Sequence, residues 1–292
     1  MSGGPLKVCF VAPALLLLVA LNVFPLLYNV FLSFTDADLS GGDARGVGTR
    51  NYSTVFSEPR FADALRTTAL FTAAAVSTEL LLGFVLALAL RGRFPAKPVV
   101  LTILLVPMML SPAVMALFWH LILKGDYGIL NQLLSIAGVD RPPQWLTDTR
   151  LKLVSILMID VWMWTPFMML ISLAGLNAIP KHLYEAAEID RAGAWTVFRR
   201  ITLPLCAPLL VLAALFRTTD ALKQFDFVMA VTGPNDAATQ TFSALLYHVA
   251  FRSTSVGLGA AYGFVVLVAV IALATAFTRY IGWIQARQGR AA

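Results

Sequence analysis

Ile179-Pro180-Lys181-His182-Leu183-Tyr184-Glu185-Ala186-Ala187-Glu188-Ile189-Asp190-Arg191-Ala192-Gly193-Ala194-Trp195-Thr196-Val197-Phe198-Arg199-Arg200-Ile201-Thr202-Leu203-Pro204 reads as two short amphipathic helices with a turn between them. Pro180 starts the first, because its missing N–H is not needed in a first helical turn. Leu183, Ala186, Ala187 and Asp190 then share one face, with Glu185 and Glu188 beside it. Gly193 permits a bend. Trp195, Phe198 and Ile201 give the second helix an apolar side, flanked by Arg199 and Arg200. Pro204 opens the next helix. A segment of this kind lies at a membrane surface, where it is often a plain anchor, so the flanking sequence decides its meaning.

Both flanks are apolar and long. A bilayer core about 30 Å thick takes about 20 apolar helical residues to cross. Six stretches meet this: 10–34, 67–90, 99–123, 153–178, 203–222 and 256–278. Their length favours helices over barrel strands of about ten alternating residues. The fold class expected is an all-α membrane protein with six transmembrane helices, residues 10–284 forming one domain between a short N-terminus (1–9) and tail (285–292). The composition agrees: among 292 residues, 59% are hydrophobic and only 13% charged, with mean hydropathy +0.77. Soluble domains carry about 25% charged residues. The first apolar run follows Lys7 like a signal peptide, but it is too long and no A-x-A-like site closes it. It is expected to be a retained span.

Orientation follows from Lys and Arg. With the N-terminus inside, the inner segments hold Lys7, Arg91, Arg93, Lys97, Lys181, Arg191, Arg199, Arg200, Arg279, Arg287 and Arg290, against three acids. The longer outer loops hold nine basic residues offset by ten acids. Both termini and the loop 179–202 are therefore expected in the cytoplasm. The net charge of +6 is a topology signal, with no nucleic-acid partner implied. Cys9 and Cys206 make no disulfide framework. The outer loop 35–66 is Gly-rich near Ser40–Gly48, and the apolar stretch Ile129–Ala137 in the next outer loop suits a short interfacial helix.

The quoted loop resembles the EAA loop of ATP-binding-cassette import permeases. Glu185-Ala186-Ala187 and Ile201-Thr202-Leu203-Pro204 match that pattern in register, and so long a spacing is far more specific than a lone short motif. The family's turn Gly falls on Arg191 here, so Gly193 is expected to take over the bend. A second stretch, Leu215 to Pro234, resembles the sugar permeases of the maltose and glycerol-3-phosphate type. It is most like the first of their two paired subunits, through Phe225-Asp226 and Thr232-Gly233-Pro234, with one Gly of the family's run missing. Thr239, Thr241, Tyr247 and Phe251 follow it.

The resemblance implies the type I importer permease fold in a bacterial inner membrane. It implies a coupling helix in which Glu185, Ala186 and Ala187 dock on a cytoplasmic ATPase, with Arg191, Gly193, Ile201, Leu203 and Pro204 shaping the loop. It also implies a second permease subunit, two ATPase copies carrying ATP and Mg, and an external solute-binding protein. No G-x-x-x-x-G-K-[ST] loop occurs in this chain, so the ATPase is expected to be another polypeptide.

Ionisable groups inside spans are costly and face protein or a watery cavity. Arg217, Asp220 and Lys223 follow at spacings of three, where they can pair. Two readings stand side by side: a structural ion cluster, with Asp160 or Glu79 as further partners, or a sugar path lined by these groups with Phe225, Asp226, Asp160, Trp162, Trp164 and Tyr247. An ion-coupled secondary transporter using Glu79, Asp160 and Asp220 is the alternative function. Against it stand the absence of a visible repeat and the matched loop. No metal spacing or nucleophile–base motif suggests an enzyme, and no cofactor is expected on this chain.

Overall fold

The computed structural model describes residues 4–92 and 94–289, with side chains for 10–92 and 94–283. Arg93, Arg290 and the side chains of Lys7, Cys9 and Arg287, which entered the charge and cysteine arguments, lie outside the described residues, as do parts of the expected termini 1–9 and 285–292. Among the described residues the elements are helical, apart from an isolated antiparallel bridge between Thr35 and Gly46.

Five helices are long and apolar enough to cross a membrane: Phe10–Ser33, Pro59–Ala89, Thr149–Ala178, Ala194–Ala221 and Val256–Trp283. The expected third span is not continuous. Lys97–Met109 and Pro112–Ile122 meet at a bend of 97°. The cause is local. Pro112 drives the residue before it out of the helical region, and Leu110 and Ser111 are both extended, at ψ 151° and 136°.

Two other expectations need correction. The loop 35–66 contains a helix, Arg50–Ser57, and the second span already begins at Pro59. The second amphipathic stretch of the quoted loop is not a separate helix. It runs into the fifth span through a π-helical turn, Phe198–Thr202. Pro204 lacks the N–H that would extend a regular ladder back to Arg200. The short helix expected over the apolar stretch 129–137 is present as Ile129–Ile136.

The chain forms two compact units, residues 1–63 with 245–269, and residues 64–244 with 270–292. In the first, the buried Asn51 amide donates to the carbonyls of Ser33 and Thr35 at 2.9 and 2.8 Å. The buried Tyr262 hydroxyl donates to Glu58 at 2.7 Å. The second unit has two apolar clusters. One gathers Phe71, Met115, Ile156, Ile159, Met163 and Phe227; the other gathers Phe84, Leu90, Met169, Leu176, Cys206 and Leu210. Leu183, Tyr184, Phe198 and Ile201 pack on the second cluster, so the quoted loop rests on the ends of the spans that it joins.

Candidate functional site

The first site is that loop. Its leading helix is Lys181–Ile189, entered from an extended Pro180 that stands just before the first turn rather than inside it. Leu183 and Tyr184 turn toward the spans and Ala187 is buried, while Glu185, Ala186 and Glu188 face outward. Ala186 and Ala187 therefore do not form one shared docking face. Tyr184 is held on both sides, by the Arg91 guanidinium 4.1 Å from its ring centroid and by Thr202 Oγ1 at 3.1 Å from its hydroxyl. Ile201 and Thr202 thus fasten the loop to the spans. Leu203 and Pro204 lie at the start of the fifth span's regular helix.

The turn does not move to Gly193. Arg191 itself is left-handed, at φ 50°. Its N–H donates to Glu188 O at 3.0 Å, and the Ala192 N–H donates to Ala187 O at 2.9 Å. This pair of bonds is the Schellman cap, which satisfies two end carbonyls of the helix. Gly193 is extended, at φ −65° and ψ 150°, and an added Cβ there would meet nothing within 4 Å. A left-handed L-residue costs about 1–2 kcal/mol, and Gly regains part of that as unfolded-state entropy. Arg191→Gly is expected to raise the thermal unfolding midpoint by about 2 °C, with Gly193→Ala neutral or slightly stabilising. Calorimetry of both variants in one detergent checks this; destabilisation by Arg191→Gly contradicts it.

One residue to which the sequence reading gave no role, Ile189, stands at this tip and is 82% exposed. Trp195, expected on the apolar side of the second helix, is 70% exposed there. The available signal was Ile189 itself, an apolar residue outside the face formed by Leu183 and Ala187.

The second site is a buried ion cluster in the second unit. Glu79 comes from the second span, Asp160 from the fourth and Arg217 from the fifth. The Arg217 guanidinium donates to both Glu79 oxygens, from Nε at 2.8 Å and Nη2 at 3.1 Å. Nη2 also donates to Asp160, and Nη1 to Asp220 at 3.1 Å. The Gln224 amide donates to the other Asp160 oxygen at 3.0 Å. The Trp164 ring faces the guanidinium at 5.1 Å, within cation–π range. Glu79 and Asp160 are fully buried, whereas the Asp220 side chain is 53% exposed. Beside the cluster lies a small chamber of about 90 Å³, lined by Trp164, Asp220, Lys223, Gln224, Asp226 and Phe227 together with Pro112.

Several proposed path residues are not brought together. Trp162 faces away from Asp160 and Trp164, with its ring edge-on to Trp119 at 5.6 Å, in a groove lined by apolar residues apart from Thr165. Spacing explains this, because positions two apart on a helix point to different sides. The fifth span ends at Ala221, so Lys223 lies past the helix. Among the described residues its ammonium makes no ion pair with Asp220. Phe225 precedes the short helix Asp226–Val231 and does not line the chamber. Tyr247 belongs to the other unit, where its ring lies 5.3 Å from Phe251.

The comparisons with known proteins agree with one another. The family described as binding-protein-dependent transport system inner membrane component matches residues 79–290. The chain is 37% identical over 233 residues to the trehalose/maltose transport system permease protein MalF of Thermococcus litoralis, covering 80% of this chain and 79% of that protein. It is 34% identical over 283 residues to the trehalose transport system permease protein SugA of Mycobacterium tuberculosis, covering 97% and 90%. Its fold is similar to that of a chain in a bacterial ABC transporter involved in import of the acidic polysaccharide alginate. The TM-score is 0.85 at 20% identity, over 96% of each chain. With the family match spanning most of the sequence and these relatives aligned along most of both lengths, the chain belongs to the family of inner-membrane permease components of binding-protein-dependent transport systems.

Proposed function

We propose that this chain carries a sugar or sugar-like solute across the membrane as one permease subunit of an ATP-driven importer. The trehalose and maltose named for its relatives support the solute class. ATP and Mg act on a separate ATPase pair, which meets the loop 179–202 on the cytoplasmic side. A second permease subunit completes the pathway, and an external binding protein delivers the solute. This chain itself catalyses no reaction.

The observation that carries this reading is the build of the loop. Leu183, Tyr184 and Ile201 are locked to the spans, while Glu185 and Ile189 are presented outward. A push on the exposed side is thereby passed to the fourth and fifth spans, which carry Asp160 and Arg217. The chamber supplies what a sugar needs: the aromatic Trp164, carboxylates that accept hydroxyl protons, and the donors of Gln224 and Lys223. We assign Trp164, Asp220, Lys223, Gln224 and Asp226 to the path, with Glu79, Asp160 and Arg217 as its frame.

Glu185→Ala tests the coupling role. The residue is exposed, so the variant is expected to insert and fold. Loss of one charge-assisted contact costs about 1.5–3 kcal/mol, so transport and solute-stimulated ATP hydrolysis should fall together by about tenfold or more. Ile189→Ser is expected to act in the same direction. Wild-type transport in both variants would reject the assignment. Transport that survives without ATP but collapses with an ionophore would instead support the ion-coupled reading. Reporter fusions after Lys97 and Arg199 should read cytoplasmic, and those near Gly46 and Asn235 external; a cytoplasmic signal at Gly46 overturns the orientation.

A further inference from the structure

The fifth span is longer than a bilayer core requires. Its 28 residues, Ala194–Ala221, rise about 42 Å at helical pitch, against a core of about 30 Å. The first turns therefore lie in the headgroup layer. There Trp195, Thr196, Arg199 and Arg200 line an open groove of about 490 Å³ on one side of the helix. Among the described residues neither guanidinium makes an ion pair, not even with the loop's own acids Glu185, Glu188 and Asp190. Trp195 is stacked on Phe198, with ring centroids 5.5 Å apart, and the π-helical turn Phe198–Thr202 carries both arginines. One turn further on, in line with Arg199 and Arg200 on the helix, Leu203 is an exposed apolar side chain. The cationic groove thus meets apolar helix surface at Leu203.

We propose that this groove binds the headgroup of an acidic phospholipid. Arg199 and Arg200 grip the phosphate diester, Thr196 donates its hydroxyl, Trp195 covers the glycerol region, and the acyl chains leave along the side of the helix that carries Leu203. Arginine suits this role because its planar fork matches phosphate oxygens. The apolar continuation favours a lipid over a soluble protein as the occupant. The proposal does not depend on the coupling role of Glu185.

The test uses the chain with the subunits that copurify with it, in nanodiscs of phosphatidylcholine with or without phosphatidylglycerol. Lipid retained through a detergent wash is identified by mass spectrometry. Phosphatidylglycerol is expected to be retained over phosphatidylcholine. Arg199→Gln/Arg200→Gln should cut that preference by about thirty-fold, equivalent to about 2 kcal/mol for two basic residues, with an unchanged unfolding midpoint. Arg199→Lys/Arg200→Lys should keep most of it. Equal retention of the two lipids overturns the proposal, and so does an unaltered preference in the Gln variant. Complete displacement of the lipid by inorganic phosphate would make this a free-anion site and also overturn it. So would loss of the copurifying ATPase with lipid retention intact, which would mark a protein contact instead.

Discussion

Arg217→Met is expected to lose most of its folded protein. Glu79 and Asp160 are both fully buried and both satisfied by this one guanidinium. Removing it leaves uncompensated buried carboxylates, which costs about 3–5 kcal/mol. Folded proteins are stable by only about 5–15 kcal/mol in all. A triple change, Arg217→Met with Glu79→Gln and Asp160→Asn, should recover most of the loss, because a neutral set of similar volume restores the balance. Asp220→Asn behaves differently. Its carboxylate is half exposed, and exposed pairs contribute about 0–1 kcal/mol, so assembly should hold. A changed sugar dependence of transport in that variant would then place Asp220 on the path. Unfolding midpoints and folded yield of the single, triple and Asp220 variants in one detergent decide this. An Arg217→Met protein that melts like the wild type would show the cluster to be dispensable.

The ion cluster also marks where sequence reasoning stops. Spacing along one helix shows that Arg217 and Asp220 are neighbours, and they are paired. It carries no information about partners from other helices, so Glu79 and Asp160 stood as alternatives, whereas the guanidinium fork takes both. The spans were legible because a bilayer demands about 20 apolar residues whatever the tertiary packing. The 97° bend was not, since Pro107 and Pro112 are compatible with a kink as well as with a break. At Arg191 the error came from treating a residue preference as a rule. The helix 181–189 needs a left-handed residue where its ladder ends, and that place is set by the hydrogen bonds of Ala187 and Glu188. Glycine is favoured there, but Arg191 takes the conformation and Gly193 is left extended.

Gly83→Val is expected to disrupt the packing of the second span on the fourth. A Cβ at Gly83 would stand 2.6 Å from Met168 Cβ, 2.7 Å from Met169 N and 2.9 Å from Met168 C. Two of these three atoms are backbone, so no rotamer change relieves the contact and the helices must separate. Both methionines are fully buried, one in each apolar cluster of the second unit. Gly83 lies one turn beyond Glu79 on the same face. Separation here would therefore also lengthen the bonds from Arg217 to Glu79. Overpacking typically costs about 1–3 kcal/mol, and strain on the ion cluster adds to it. Gly83→Ala should show a smaller loss of the same kind, although alanine is the better helix former by about 1 kcal/mol. Gly175 supplies the control. A Cβ there meets Leu209 and Cys206 only at 3.5–3.6 Å, which is ordinary contact, so Gly175→Ala should hold or gain stability. If Gly83→Ala is as stable as Gly175→Ala, close approach of the second and fourth spans at Gly83 is not required by the fold.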